Sequence, residues 1–150
     1  MTTIRLYSSS GAYNGYHADM SRTVFIGTCA DWQKDIYDLV MKAQEAGRKK
    51  LTAGAIAEEV DEATRKIIRD ANYGDFFVHG TGHGVGLEIH EPVFIAKDVK
   101  TKLSSGSCIT VEPGIYLPGK GGVRIEDTCL VTEGEADVLT PGSHEIICVA

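Results

Sequence analysis

The sequence predicts an α+β fold, with two helices set among β-prone segments, and three observations carry that prediction. Apolar residues recur at helical spacing only between Trp32 and Ile67. Before and after that stretch the apolar residues fall in short runs rich in Val, Ile, Thr and Tyr, bounded by Gly, Asn, Ser and Pro. The helices therefore occupy one block of the chain and the strands the rest, which is the α+β pattern rather than an alternating βαβ one.

In chain order, Ile4 to Tyr7 reads as a short strand ended by Ser8-Ser9-Ser10-Gly11, and Tyr16 to Ile26 reads as a second. Asn14-Gly15 between them is a strong hairpin turn pair, because both residues tolerate positive φ. From Asp31, a residue type suited to the N-cap, the positions Trp32, Ile36, Leu39, Val40 and Ala43 mark a helix ending near Leu51. Thr52-Ala53-Gly54 interrupts it, and Ile56, Val60, Ala63 and Ile67 mark a second helix that stops before Asn72-Tyr73-Gly74. Four β segments follow, at about Gly86 to His90, Ser107 to Tyr116, Gly122 to Thr132 and Ser143 to Val149. Tyr16, Phe94 and Tyr116 lie in apolar surroundings and are expected to pack in the core, and His17 and His144 are expected at the surface.

A chain of 150 residues with 43% apolar residues suits one domain, residues 1–150, with a core of its own. A net charge of −6 disfavours a phosphate backbone as a partner, so no nucleic acid is expected. There is no apolar run long enough to cross a bilayer, so no membrane partner is expected either. Cys29, Cys108, Cys129 and Cys148 form no Cys-x-x-Cys pair, and the expectation is reduced, buried structural thiols in a cytoplasmic protein.

The stretch from His79 to Pro92 places His79, His83 and His90 among four glycines. Glycines at this density exclude a helix, so His79 and His83 are not a helical zinc pair, and the spacing is not that of a dinucleotide-binding loop. A glycine-rich loop with surface histidines is the plain alternative. Three acids change the balance, because Asp19, Glu112 and Glu126 each sit inside an apolar β-prone run. Carboxylates are seldom buried unless paired or bound to a cation. Three of them with one imidazole make an oxygen-rich set suited to Mn, Co, Fe or Zn as a working ion, whereas structural zinc favours thiolates.

These segments resemble metallopeptidase family M24, which includes methionine aminopeptidase, aminopeptidase P and prolidase. Gly15-Tyr-His-Ala-Asp-Met-Ser-Arg-Thr23, the His79 to Pro92 stretch, Ile109-Thr-Val-Glu-Pro-Gly114 and Gly122-Val-Arg-Ile-Glu-Asp127 are similar to its four signature segments in order and spacing. Arg22-Thr23, His79 and Arg124 resemble the proline-specific branch. The resemblance implies a pita-bread fold lacking the N-terminal part of the usual catalytic domain, and hydrolysis of the Xaa-Pro bond in dipeptides or short peptides. It implies that Asp19 and Glu126 bridge two ions, that His83 and Glu112 complete the shell of the second, and that Glu112 also handles the proton of the attacking water. His79, His90 and Arg124 would hold substrate and support the reaction. Mn, Co or Zn is the expected metal.

Two departures stand out. Eleven positions before Asp19, where the family carries another aspartate ligand, this chain has Ser8, so one well-held ion is expected rather than two. The family's catalytic domain also carries further residues ahead of this stretch, and a homodimer or a second chain could cover the face they would occupy. The competing expectation is a catalytically reduced pita-bread homologue that binds peptides or proteins.

Overall fold

The computed structural model describes residues 3–150. Two 11-residue strands, β1 (Thr3–Tyr13) and β2 (Tyr16–Ile26), pair antiparallel in unbroken register from Thr3 opposite Ile26 to Tyr13 opposite Tyr16. Asn14 and Gly15 turn the hairpin with φ of 51° and 83°, the two positive values that such a tight turn demands. The break expected at Ser8 to Gly11 does not occur. Serine has little strand preference of its own, but the ladder to β2 satisfies its backbone, and tertiary pairing overrides propensity.

Helix α1 (Asp31–Lys50) and helix α2 (Ala57–Asp70) follow. Asp31 is not the N-cap. Ala30 is, and its backbone N–H donates to the Gln33 side-chain oxygen at 2.8 Å, half of a capping box. Asp31 lies in the first turn and Arg48, Lys49 and Lys50 in the last, charges of the right sign for the helix dipole at both ends. The two helices pack on each other with Gly47 at the contact.

Beyond a 3-10 turn at Gly74–Phe76, the chain forms β3 (Gly82–Gly84), β4 (Glu91–Ile95), β5 (Cys108–Val111), β6 (Gly114–Leu117), β7 (Gly121–Arg124), β8 (Asp127–Leu130), β9 (Asp137–Val138) and β10 (Ile147–Val149). A five-stranded sheet has the order β4-β3-β5-β8-β9, β6 and β7 form a separate pair, and β10 adds parallel to β2. The expected Gly86 to His90 strand is a loop, and the strands lie on either side of it. The Ser107 to Tyr116 run breaks at Glu112-Pro113, where proline offers no N–H to a ladder. The Gly122 to Thr132 run breaks at Ile125-Glu126, where Glu126 leaves β8 to exchange backbone bonds with Ser21 of β2. Only Ile147–Val149 of the last segment is strand, because Arg22 and Asp127 hold Ser143 and His144 out of line.

The core has two parts. Leu51, Val60, Ile95, Ile109, Val111 and Val131 pack between α2 and the five-stranded sheet, and Phe25, Ile36, Tyr37, Val40, Ile68 and Ile125 pack between the helices and β2. Together they fix β2, β5 and β8 against the helices. A Cβ added at Gly47 would come within 2.5 Å of Thr64 Oγ1 and 2.9 Å of Val111 Cγ1. Alanine ordinarily strengthens a helix relative to glycine, but overpacking here reverses the sign. Gly47→Ala is expected to cost about 1 to 3 kcal/mol in urea unfolding, and a gain in stability would contradict this packing.

Candidate metal centre and substrate cleft

Asp19 sits mid-strand in β2 and is buried; Thr128 Oγ1 donates to its backbone carbonyl at 2.7 Å and accepts from its N–H at 3.2 Å. That pair of bonds stitches β2 to β8. Glu126, at the β7–β8 break, is held to Ser21 by backbone bonds in both directions, which turns its buried side chain toward Asp19. His83 is in β3, flanked by glycines in close quarters: a Cβ at Gly82 would lie 1.8 Å from the Thr110 carbonyl oxygen. Ligand atoms of Asp19, His83 and Glu126 all lie within 4.8 Å of one another. Residues from two strands and the β7–β8 break thus come together.

Nδ1 of His83 stands 2.9 Å from the Gly84 carbonyl oxygen, which can only accept, so the hydrogen is on Nδ1 and the Nε2 lone pair faces the hollow. Glu112, at the β5–β6 break, brings Oε1 to 3.4 Å from that Nε2. Two atoms each about 2.1 Å from one tetrahedral ion lie about 3.4 Å apart, so this separation is what co-ligands of a single ion require. Burial, and then the neighbouring Glu126 charge, push the Glu112 carboxyl up to about 8 against the partial relief of Arg124. Burial likewise raises Glu126 to about 7, with Asp19 adding to it and the Ser21 hydroxyl opposing. These are the signs of carboxylates crowded together where a cation belongs. Serine hydroxyls serve these acids: Ser21 donates to Glu126 Oε2, and Ser10 donates to Asp19 Oδ1 at 3.2 Å.

Beside this group opens a cleft of about 360 Å³ lined by His79, His83, His90, Phe94, Glu112 and Arg124, among others. His79 accepts at Nε2 from the Tyr116 hydroxyl at 2.8 Å and donates from Nδ1 to the Gly80 carbonyl at 2.7 Å, and burial lowers its pKa. His90 is exposed, with its ring 4.2 Å from that of His83. Arg124 donates from Nε to Ser21 Oγ at 3.2 Å, linking the cleft to Glu126. Burial opposes its charge, but Tyr116 and the two glutamates outweigh that and keep it firmly protonated. A larger cavity of about 600 Å³ lies elsewhere, against α2, and its walls are already ion-paired as Lys50–Glu59, Asp61–Arg65 and Glu62–Arg69.

Residues 4–133 match metallopeptidase family M24. The chain belongs to this family. It is 46% identical over 135 residues to an Xaa-Pro dipeptidase of Pyrococcus furiosus, covering 90% of this chain and 39% of that one. Among solved structures it superposes on a dipeptidase from Pyrococcus horikoshii with a TM-score of 0.94 and 40% identity, covering 97% of this chain and 41% of the other. An X-Pro aminopeptidase from Thermotoga maritima superposes with a TM-score of 0.94 at 38% identity, again over 97% and 41%. The M24 chain is thus a pita-bread fold that spans about two-fifths of the length of the relatives it matches.

Of the residues singled out by sequence, Asp19, His83 and Glu126 gather at one hollow, Glu112 joins them only through His83, and Glu112, His79, His90 and Arg124 share the cleft beside it. Ser8 is exposed and stands opposite Ser21 in the hairpin, so its side chain is on the face that carries Asp19. Four expectations change. Tyr16, at the start of β2, is 49% exposed rather than packed in the core, with its hydroxyl donating to the Val85 carbonyl at 3.4 Å. Phe94 is 54% exposed at the cleft rather than packed in the core, because β4 is the edge of its sheet. Tyr116 is half-buried with its hydroxyl on His79, so it too belongs to the cleft. His144 is no free surface residue: its Nε2 lies 2.7 Å from Asp127 Oδ2. Asp127 is fully buried and also takes Arg22 Nη2 at 2.7 Å and Gln44 Nε2 at 2.8 Å, while Arg22 Nη1 donates to the Glu126 carbonyl at 2.6 Å. This frame behind Glu126 joins residues more than a hundred positions apart, and sequence reasoning passed over it. Its local signal was Asp127 following Glu126 inside an apolar run.

The raised carboxyl pKa values set a pH dependence. A group whose pKa is higher in the folded than in the unfolded chain lends stability that is full below the unfolded value and lost as pH rises through the folded one. For Glu112 and Glu126 the loss runs from their ordinary 4.5 up to about 8 and about 7. Below 6.5 the lowered pKa values of His79 and His83 work in the opposite direction, so the interval from pH 6.5 to about 8 isolates the carboxyls. In that interval the melting temperature of the metal-free chain is expected to fall, and Mn²⁺ or Co²⁺ to reverse the fall. Calorimetry on Glu112→Gln should show a flatter profile, and an unchanged slope would mean that Glu112 is not the strained group.

Proposed function

We propose that this chain is a metal-dependent peptidase that hydrolyses the Xaa-Pro bond of dipeptides or short peptides. The observation that carries the reading is the convergence of Asp19, His83 and Glu126 within 4.8 Å, with Glu112 3.4 Å from His83, at the wall of a cleft that holds two further histidines and an arginine. Membership of family M24 supports it, as do the names of the relatives. The donors fit a divalent ion: one neutral imidazole and three carboxylates, two of them raised toward neutrality by burial and mutual repulsion. Asp19, His83, Glu126 and Glu112 would hold Mn, Co or Zn. When bound, such an ion supplies Lewis acidity at the scissile carbonyl and makes water nucleophilic near neutral pH.

The chain's own groups do the rest. Glu112, whose Oε1 lies 3.4 Å from His83 Nε2 at the wall of the cleft, takes a proton from the attacking water and passes it to the leaving nitrogen. His79, held by Tyr116, stands in the cleft as the neutral Nδ1–H tautomer and lines the substrate side. His90, exposed next to His83, can donate to the oxygen that becomes anionic as the carbonyl turns tetrahedral. Arg124 stays charged and faces the substrate carboxylate or orients Glu112 and Glu126.

Ser8 argues for one well-held ion. Facing Asp19's side of the hairpin, it adds no negative oxygen, and Asp19 and Glu126 already accept from Ser10 and Ser21. The same observation favours a second reading, a catalytically reduced homologue that binds proline-containing peptides or a protein partner, with a homodimer or a second chain beside it. Turnover of an Xaa-Pro dipeptide with Mn²⁺ or Co²⁺ separates the two. Glu112→Ala should lower kcat by at least about 100-fold, as expected for loss of a general base, and turnover that survives the change would refute the peptidase reading. Ser8→Asp should raise metal per chain from about one to about two, measured by plasma mass spectrometry, by restoring a carboxylate ligand.

A further inference from the structure

The loop that carries His79 has no regular structure of its own. Residues 77–81 lie between the 3-10 turn and β3, and their backbone bonds are confined to the ends: Phe77 N–H donates to the Gly74 carbonyl at 3.2 Å, and Thr81 donates to the Ile95 carbonyl and accepts from the Glu112 N–H, both at 2.7 Å. A catalytic cleft nevertheless needs that histidine fixed, since small displacements of positioned groups are costly to rate.

Two side chains one turn apart on α2 hold the loop. The Arg65 guanidinium makes a forked pair with Asp61, Nε to Oδ2 at 2.9 Å and Nη2 to Oδ1 at 3.0 Å. Its remaining hydrogens reach the loop, Nη1 to the Phe77 carbonyl at 2.9 Å and Nη2 to the His79 carbonyl at 2.8 Å. Its plane also lies 4.2 Å over the Phe77 ring, whose edge meets the His79 ring at 5.2 Å. Asp61 completes the grip by accepting at Oδ1 from Thr81 N at 3.2 Å and Thr81 Oγ1 at 2.8 Å. The pair therefore holds residues 77, 79 and 81 by backbone. Thr81 in turn accepts from the Glu112 backbone N–H at 2.7 Å, so the same grip extends to the residue proposed to move protons.

We propose that Arg65 and Asp61 are positioning residues of the reaction, clamping the 77–81 loop so that His79 faces the cleft and Glu112 faces His83. This rests on the peptidase reading for its consequence and on the hydrogen-bond geometry for its substance. Neither residue lines the cleft or belongs to the candidate ligand group. The clamp requires the arginine fork: a lysine keeps the charge but presents a single point donor, which can serve Asp61 or the carbonyls but not the full set.

The test compares the full chain with Arg65→Lys, Arg65→Gln and Asp61→Asn, each loaded with Zn²⁺, which is diamagnetic and suits NMR. Ring ¹⁵N correlations report the tautomer and surroundings of His79, with His83 as the internal reference. Metal content and kcat/KM on Ala-Pro are measured alongside. The expected result for Arg65→Lys is a moved His79 signal, an unmoved His83 signal, unchanged metal content and a kcat/KM lower by about 10- to 100-fold, the scale of a misplaced group. If Arg65→Gln fails to fold, Arg65→Lys and Asp61→Asn carry the test. Folded variants whose His79 signal and kcat/KM match the original, the latter within about twofold, overturn the clamp. If the unsubstituted chain turns over no peptide, the peptidase reading fails on its own and the His79 signal still decides the clamp.

Discussion

Everything in this structure is arranged around carboxylates brought together out of water. Asp19 and Glu126 are buried side by side, and Glu112 closes on His83 from the third side. Such groups lose hydration and repel one another, and each pulls its neighbours toward the protonated state. Each acid also accepts from a nearby hydroxyl: Ser10 for Asp19, Ser21 for Glu126 and Thr110 for Glu112, the last at the same Oε1 that approaches His83. No buried side-chain nitrogen or oxygen among the described residues is left without a partner.

Behind this hollow the protein spends its strongest polar contacts on rigidity. Asp127, adjacent to Glu126 and fully buried, gathers Arg22 from β2, Gln44 from α1, and Thr140 and His144 from the segment before β10. A buried carboxylate with four donors is costly to assemble and worse to disturb, since removal of one donor leaves charge uncompensated. Arg22 also holds the backbone carbonyls of Ser21 and Glu126, so the strand break that aims Glu126 is tied directly to this frame. On the opposite flank, Asp61 and Arg65 do the same for the loop before β3. Two ion pairs, one behind each half of the cleft, set the positions of groups whose own segments lack regular structure.

Much of the fold was legible in the residues. The Asn14-Gly15 turn, both helices and their ends, and the β character of the second half follow from short-range rules, because positive φ, helical period and proline act within a few residues. What was misread shares one cause. Ser8 to Gly11 is strand because β2 pairs with it, Ala30 caps α1 because Gln33 reaches back, and Glu112 and Glu126 fall at strand breaks because partners from elsewhere claim their backbones. Phe94 and Tyr116 look like core residues in sequence, and only the edge position of β4 and the approach of His79 bring them to the cleft.

By itself the sequence determined which groups are present and in what chemical company: acids inside apolar runs, histidines among glycines, and the order of segments that marks family M24. Side-chain chemistry and backbone freedom are local properties, so they can be read without coordinates. Tertiary structure alone decided that Asp19 and Glu126 meet although 107 positions separate them, that His83 turns Nε2 rather than Nδ1 to them, and that Asp61 and Arg65 hold the loop of His79. Those outcomes depend on distances and donor directions between segments remote in the chain, which no local pattern encodes.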